Sequence, residues 1–201
     1  LPASVGHSAH GLRMAARALG AGQVVAYPTE AVYGLGCDPR DVAAVRRILA
    51  MKQRTEDKGL IVIAADFEAL LPFVVPLDPV RMGRILASWP GPSTWLLPAR
   101  AETPRWLTGR HDTLAVRVTG HPIAAALCRA CAGHGGALVS TSANRSSHPP
   151  ARRALKVRLG LCLGANVGLH AGPDLIVTGA CGGDARPSTI RDGQTGRVLR
   201  G

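Results

Sequence analysis

The sequence predicts an α/β fold, a single domain with a twisted, mixed and open sheet flanked by helices. Three observations predict it. Short runs rich in Val, Ile and Leu recur as QVVAY, LIVIA, TLAVRV and GALVS. Between them the apolar residues repeat at helical spacing. Clusters of Gly, Pro and polar residues punctuate the joins.

Taken in order, Leu12, Ala16 and Leu19 share a helical face that Gly20 and Gly22 stop. QVVAY is the first strand, and it runs into YPTEAVYGLGCDP (Tyr27 to Pro39). There Pro28 is expected to end strand pairing, because it has no N–H to donate. Gly34 and Gly36 would allow close backbone approach or positive φ. Asp41 is a natural cap for a helix with Val42, Val45 and Leu49 on its apolar face. KQRTEDKG follows as a polar loop, and LIVIA after it is too apolar for an edge strand. DFEALL and RMGRILASW carry helical patterns, the second with Met82, Ile85, Leu86 and Trp89 on one face. PGP (Pro90 to Pro92) breaks the chain before STWLLPA, and TLAVRV is another strand. The helix PIAAALCRACAG leads to GALVS, which opens into TSANRSSHPP. A short basic helix, ARRALKVRLG, precedes three closing strands, LIVT, STI and RVL. No internal repeat or linker appears, so residues 1–201 are expected to form one domain. Four polar segments, PTEAVYG, KQRTEDKG, STSANRSS and ARPSTIRD, sit at ends of strands or helices, which suggests one shared cleft.

A chain of 201 residues is ample for one core. No apolar run approaches the roughly 20 residues of a membrane span. The amino-terminal LPASVGHSAHGLRMAARALG has no uninterrupted apolar stretch, so a signal peptide is not expected and a cytoplasmic protein is. The chain starts without Met and is expected to be a trimmed form. Five cysteines without a regular framework are expected to be reduced thiols. Cys128 and Cys131 form a C-x-x-C on a helical face with no second pair nearby, which fits core cysteines better than zinc. The net charge of +11 comes from 24 basic and 13 acidic residues, and 21 of the basic ones are Arg. Either the composition simply favours Arg, or the surface serves a polyanion; charge alone leaves both open.

Several chemistries are excluded. Gly34-Leu35-Gly36 starts a dinucleotide fingerprint, but Pro39 occupies the third glycine position. There is no P-loop, no H-E-x-x-H and no G-x-S-x-G. What remains is a set of polar groups suited to anions. Lys52, Arg54 and Lys58 place three cations within seven residues, either as a solvated helix end or as a phosphate clamp. Ser140, Thr141, Ser142 and Asn144 follow a strand, as a capped turn or as an anion nest. Arg117 sits within the apolar TLAVRV, where an unpaired charge is costly, unless an edge position or a bound anion excuses it.

In this order and spacing, YPTEAVYGLGCDP, KQR with Lys58, LAVRV, STSAN and PSTIRD resemble the YrdC/TsaC family of threonylcarbamoyl-adenylate synthases, the short bacterial form most of all. The resemblance covers nearly the whole chain, including PRWLTGR. It implies that L-threonine, bicarbonate and ATP give threonylcarbamoyl-AMP and pyrophosphate. Downstream proteins would use the product to make threonylcarbamoyladenosine in tRNAs that read codons beginning with A. It further implies threonine binding by Thr29, Tyr33 and Ser188. ATP binding would fall to Lys52, Arg54, Lys58, Arg117, Ser140, Ser142, Asn144 and Arg200, with Lys52 and Arg54 catalytic. Mg²⁺ would be held through the phosphates, with no protein ligand. The chain departs from the family's SAN-x-SG at Ser147 and at Arg145, where an apolar residue is usual. No extra domain is expected after Gly201. An RNA-binding module gripping tRNA or double-stranded RNA in the same basic cleft is the alternative.

Overall fold

A computed structural model describes residues 2–146, 148–162, 172–184 and 188–200. Ser147, where the chain departs from the resembled motif, lies outside the described residues, as does Gly201.

Among the described residues ten strands form one mixed sheet. In chain order they are β1 (Ala3–Val5), β2 (Val25–Pro28), β3 (Tyr33–Gly36), β4 (Ile61–Ala64), β5 (Ser93–Pro98), β6 (Thr113–Val118), β7 (Leu138–Ser142), β8 (Leu175–Val177), β9 (Thr189–Asp192) and β10 (Val198–Arg200). Their order across the sheet is β1-β8-β2-β3-β7-β4-β6-β5-β9-β10. The expected mixed α/β sheet is therefore present, and LIVIA, as β4, lies between β7 and β6, away from any edge.

The helices are α1 (Ala9–Gly20), α2 (Val42–Lys52), α3 (Pro79–Ala87), α4 (Arg105–Thr108), α5 (Pro122–Ala130) and α6 (Ala154–Val157). Asp41 caps α2 as expected, its Oδ1 accepting from the backbone N–H of Ala43 and Ala44 at 2.9 and 3.0 Å. Two apolar clusters sandwich the sheet. One joins Ala15, Ala16 and Leu19 of α1 and Leu127 and Cys128 of α5 to Val25, Tyr27 and Ile63. The other joins Val45, Ile48 and Leu49 of α2 and Ile85 of α3 to Leu35, Val62, Leu114 and Val116. Cys131 also belongs to the α1–α5 cluster, and all five cysteines are free thiols. Among the described residues no helix is long and apolar enough to cross a membrane.

Two local expectations need correction. Tyr33–Gly36 is a strand, antiparallel to β2 and to β7, so YPTEAVYGLG is a hairpin rather than a long loop. Pro28 is the last residue of β2, opposite Tyr33, as expected of a residue with no N–H to donate. Gly36 serves by close approach: a Cβ there would lie 2.7 Å from the Tyr27 ring and 2.8 Å from the Val139 carbonyl oxygen. DFEALL forms a single 3₁₀ turn, Glu68–Leu70. Residues Ala3–Val5 form an edge strand parallel to β8, with no alternation of its own to reveal it.

Candidate active site

Strand alternation creates the site. Along β6, Leu114, Val116 and Val118 face the α2–α3 core, while Thr113, Ala115 and Arg117 face the other way. On that second face α1 and α5 cover Ile63, but Ile61 lines an open cleft of about 580 Å³. Segments from across the sheet converge there. Thr29, Glu30 and Tyr33 come from the β2–β3 hairpin, Arg54 and Lys58 from the segment after α2, and Ser140, Ser142 and Asn144 from the end of β7. Ser188, just before β9, and Arg200 of β10 close it. The four polar segments thus contribute to one cavity. Of the eleven site residues named from the sequence, Lys52 alone is not among the lining residues.

Lys52 instead lies behind the cleft wall, 4% exposed. Its Nζ donates to the backbone oxygens of Ser142 and Asn144 and to Asn144 Oδ1, the last two at 2.9 and 3.1 Å. The Ser142 hydroxyl also donates to Asn144 Oδ1 at 2.6 Å, and Asn144 Nδ2 closes the turn on the carbonyls of Arg145 and His148. The ammonium therefore organises the STSAN turn from within. Burial first, and then the charge of Arg54, lower its pKa to about 8.

The other cations share that stress. Burial, then Arg200, holds the Arg54 guanidinium below its ordinary pKa, and burial does the same to Arg200. Arg54 donates to the Gly59 carbonyl at 2.7 Å, while its Nε is buried without a partner among the described residues. Crowded, partly desolvated like charges of this kind are relieved by a bound anion.

Arg117 has a partner that sequence reasoning missed. β6 lies between β4 and β5, so Arg117 is not at an edge. Its Nη1 is 2.8 Å from Glu30 Oε2, and both side chains are about nine-tenths buried. Glu30 Oε1 accepts from Thr119 Oγ1 at 2.8 Å and from the Gly120 N–H at 3.0 Å. Burial alone would raise the Glu30 pKa, but Arg117 and these donors outweigh it and leave the carboxyl below its ordinary value. The available signal was an acid inside a strand hairpin and an arginine inside a strand, each costly alone.

Thr29 and Tyr33 are both turned toward neighbours. The Thr29 hydroxyl donates to the Val32 carbonyl at 2.6 Å, closing the hairpin. The Tyr33 hydroxyl donates to Gly179 O at 2.7 Å and accepts from Gly179 N at 3.1 Å. Ser188 Oγ accepts from Thr94 Oγ1 at 2.9 Å. Oxygens of Thr29 and Ser188 keep lone pairs for a ligand. Thr108, whose buried Oγ1 has no partner among the described residues, lines the same cleft and escaped sequence reading because PRWLTGR looks like an ordinary turn of helix.

The family model Sua5/yciO/yrdC, described as "Telomere recombination", matches residues 17–201. The chain belongs to this family. Two relatives of this chain are named threonylcarbamoyl-AMP synthase. One, from Nitrosococcus oceani, is 53% identical over 94% of this chain and 96% of its own. The other, from Halorhodospira halophila, is 53% identical over 94% and 93%. Among solved structures, P. abyssi Sua5 complexed with L-threonine superposes with a TM-score of 0.80 at 32% identity, over 96% of this chain. This chain spans only about half of that protein, 54%. E. coli YciO gives a TM-score of 0.78 at 25% identity, over 100% of this chain and 94% of its own. The open mixed sheet is thus the Sua5/YciO/YrdC fold.

Proposed function

We infer that this chain is an L-threonylcarbamoyladenylate synthase: it joins L-threonine, bicarbonate and ATP into threonylcarbamoyl-AMP and releases pyrophosphate and water. The observation that carries the reading is the convergence of Arg54, Lys58, Arg117 and Arg200 with the Ser140–Asn144 strand end in one cleft. The 53% identical synthases support it.

The chemistry suits such a cleft. A carboxylate oxygen of the threonylcarbamate attacks the α-phosphorus, a new P–O bond forms, and the bond to the leaving pyrophosphate breaks. Both reactants are anions, so neutralisation and alignment are the protein's main work. Attack by the carboxylate on the α-phosphorus needs no general base, and Glu30, with three donors on its carboxylate, is not free to be one. In this reading Arg54, Lys58, Arg117 and Arg200 meet the phosphates, and Ser140, Ser142 and Asn144 hold the nucleotide, with Lys52 shaping that turn. Thr29, Tyr33 and Ser188 form the threonine end. Glu30 and Asp184 are the carboxylates among the described lining residues, and Glu30 is fully engaged. A protein-held metal therefore fits poorly, whereas Mg²⁺ carried on the triphosphate fits.

The product would pass to other proteins that complete threonylcarbamoyladenosine on tRNA in the cytoplasm. Direct contact with tRNA draws support from a groove of about 620 Å³ adjoining the cleft, lined by Arg145, Arg152, Arg153 and Lys156. Residues 1–201 would act as one domain.

The test is pyrophosphate release from labelled ATP by purified protein. Release that requires both threonine and bicarbonate is expected; none under any substrate combination, in folded protein, would favour the RNA-binding module.

Thr29→Val refines the threonine end. Val32 O keeps the Thr29 N–H as a partner at 3.1 Å, so the fold should lose only about 0.5–1.5 kcal/mol. A threonine polar group left without its hydroxyl should raise the threonine requirement about tenfold, equivalent to about 1.4 kcal/mol, with ATP affinity little changed. Equal weakening toward both substrates, in step with a lower melting temperature, would reduce Thr29 to a hairpin residue.

A further inference from the structure

We propose that Glu30 is a positioning residue for the reaction: its carboxylate fixes the guanidinium of Arg117 in the cleft and locks the β2–β3 hairpin to the same point. The inference rests on the reading of Arg117 as a group that meets the reacting anion.

Three observations carry it. First, Arg117 is buried within a central strand, yet Glu30 engages Nη1 alone, and Nε has no partner among the described residues. A guanidinium is a rigid fork, so fixing one nitrogen fixes the direction of the rest. Nε itself is buried, so what Arg117, a residue that lines the cleft, would offer an incoming oxyanion is the part of the guanidinium that Glu30 does not hold.

Second, the carboxylate is itself held. Thr119 Oγ1 and the Gly120 N–H occupy Oε1, and Arg117 occupies Oε2. An acid with three donors on it neither swings nor accepts a substrate proton readily. Its role is orientation rather than proton transfer.

Third, the Glu30 backbone ties in another segment. Its carbonyl oxygen accepts from the Asp184 N–H at 3.1 Å, and the neighbouring Thr29 carbonyl accepts from Gly182 at 3.1 Å. A Cβ at Gly182 would meet Glu30 O at 3.0 Å, so the two backbones are in close approach. His121, just after Gly120, adds a contact to Ala180 O at 3.1 Å. Glu30 is thus the node where the hairpin of the threonine end, the arginine of β6 and the 180–184 segment meet. Movement at one end of the cleft would be felt at the other.

The experiment compares Glu30→Gln, Glu30→Asp, Arg117→Lys and the Glu30→Gln/Arg117→Lys pair in steady-state pyrophosphate release, with melting temperatures alongside. Gln offers one carbonyl oxygen and an NH₂ to three donors, so the arginine keeps its charge and loses its aim. Glu30→Gln is expected to lower kcat about 10²-fold, the scale of a 1 Å misplacement, while KM for ATP stays within about threefold. Asp keeps the charge but is one methylene shorter, and should recover part of kcat. In the Arg117→Lys background Glu30→Gln should cost far less than alone, because the oriented fork is already gone. Wild-type kcat in Glu30→Gln, beside an impaired Arg117→Lys, would overturn the positioning role alone. So would losses in kcat and both KM values that are independent and additive across the pair. Full turnover in Arg117→Lys would instead remove the arginine from the reaction, and the proposal with it.

Discussion

Arg117→Ala is expected to cost about 3–5 kcal/mol of stability and to weaken ATP binding. The magnitude is that of breaking a buried ion pair from one side, which leaves an uncompensated charge. Here that charge is Glu30, about nine-tenths buried and 2.8 Å from Arg117. The sign is opposite to what the sequence suggests, since an unpaired strand arginine would be better removed. Denaturant unfolding at several pH values checks both sign and cause. In the native protein the Glu30 pKa is lowered, so its contribution is present above the unfolded value, near the ordinary 4.5, and is lost as pH falls through the folded value. In the variant burial is opposed only by the Thr119 and Gly120 donors, without the largest lowering influence, Arg117, so the folded-state pKa rises and the stabilisation above the unfolded value is lost. The gap between the two proteins should therefore be widest near neutrality and narrow in acid. A gap that stays constant between pH 4 and pH 8, or a variant more stable than the parent, would show that the pair does not carry this energy. Calorimetry with ATP, run at a temperature where the variant is folded, separates lost binding from lost fold.

Much of the architecture was legible because alternation and helical spacing are local signals. LIVIA and TLAVRV announced β4 and β6 through their unbroken apolar character, and Asp41 announced the start of α2. The gathering of four polar segments in one cleft was legible too, since strands and helices of one layered sheet deliver their ends to few places. What the sequence hid were relations across the chain. Nothing near Arg117 names Glu30, which is distant in sequence and adjacent only once β2–β3 and β6 lie in one sheet. YGLG hid as a strand because two glycines carry no β propensity, yet the missing side chains are what admit the Tyr27 ring. Thr29 and Tyr33 show a further limit: residue type suggests a ligand hydroxyl, but in the folded chain it is bonded to Val32 O or Gly179.

Lys52→Ala is expected to lower turnover about 10²-fold through loss of shape rather than loss of a phosphate contact. The ammonium binds the Ser142 and Asn144 carbonyls and Asn144 Oδ1 from behind the cleft. Its removal leaves those acceptors short of a donor inside the wall, at about 1–3 kcal/mol of stability. The turn that presents Ser140, Ser142 and Asn144 then loosens, and small misplacement is costly at a reacting centre. A free clamp residue would behave otherwise, weakening ATP binding while sparing the fold. The pKa gives a second, independent readout. Lys52 is lowered to about 8 from an ordinary 10.5, so between those values the unfolded chain holds a proton that the folded one has released. Stability should accordingly rise with pH across that window, because the penalty for burying the charge is present below the folded pKa and fades above it. An anion entering the cleft favours the charged form, so ATP binding should take up a proton near pH 8 and weaken as pH rises further. In Lys52→Ala both slopes should flatten. Proton uptake follows from calorimetry in buffers of different ionisation enthalpy, and the stability slope from denaturant midpoints between pH 7 and pH 10. A variant that keeps its fold and its pH slopes while losing only ATP affinity would move Lys52 from behind the wall to the phosphates themselves.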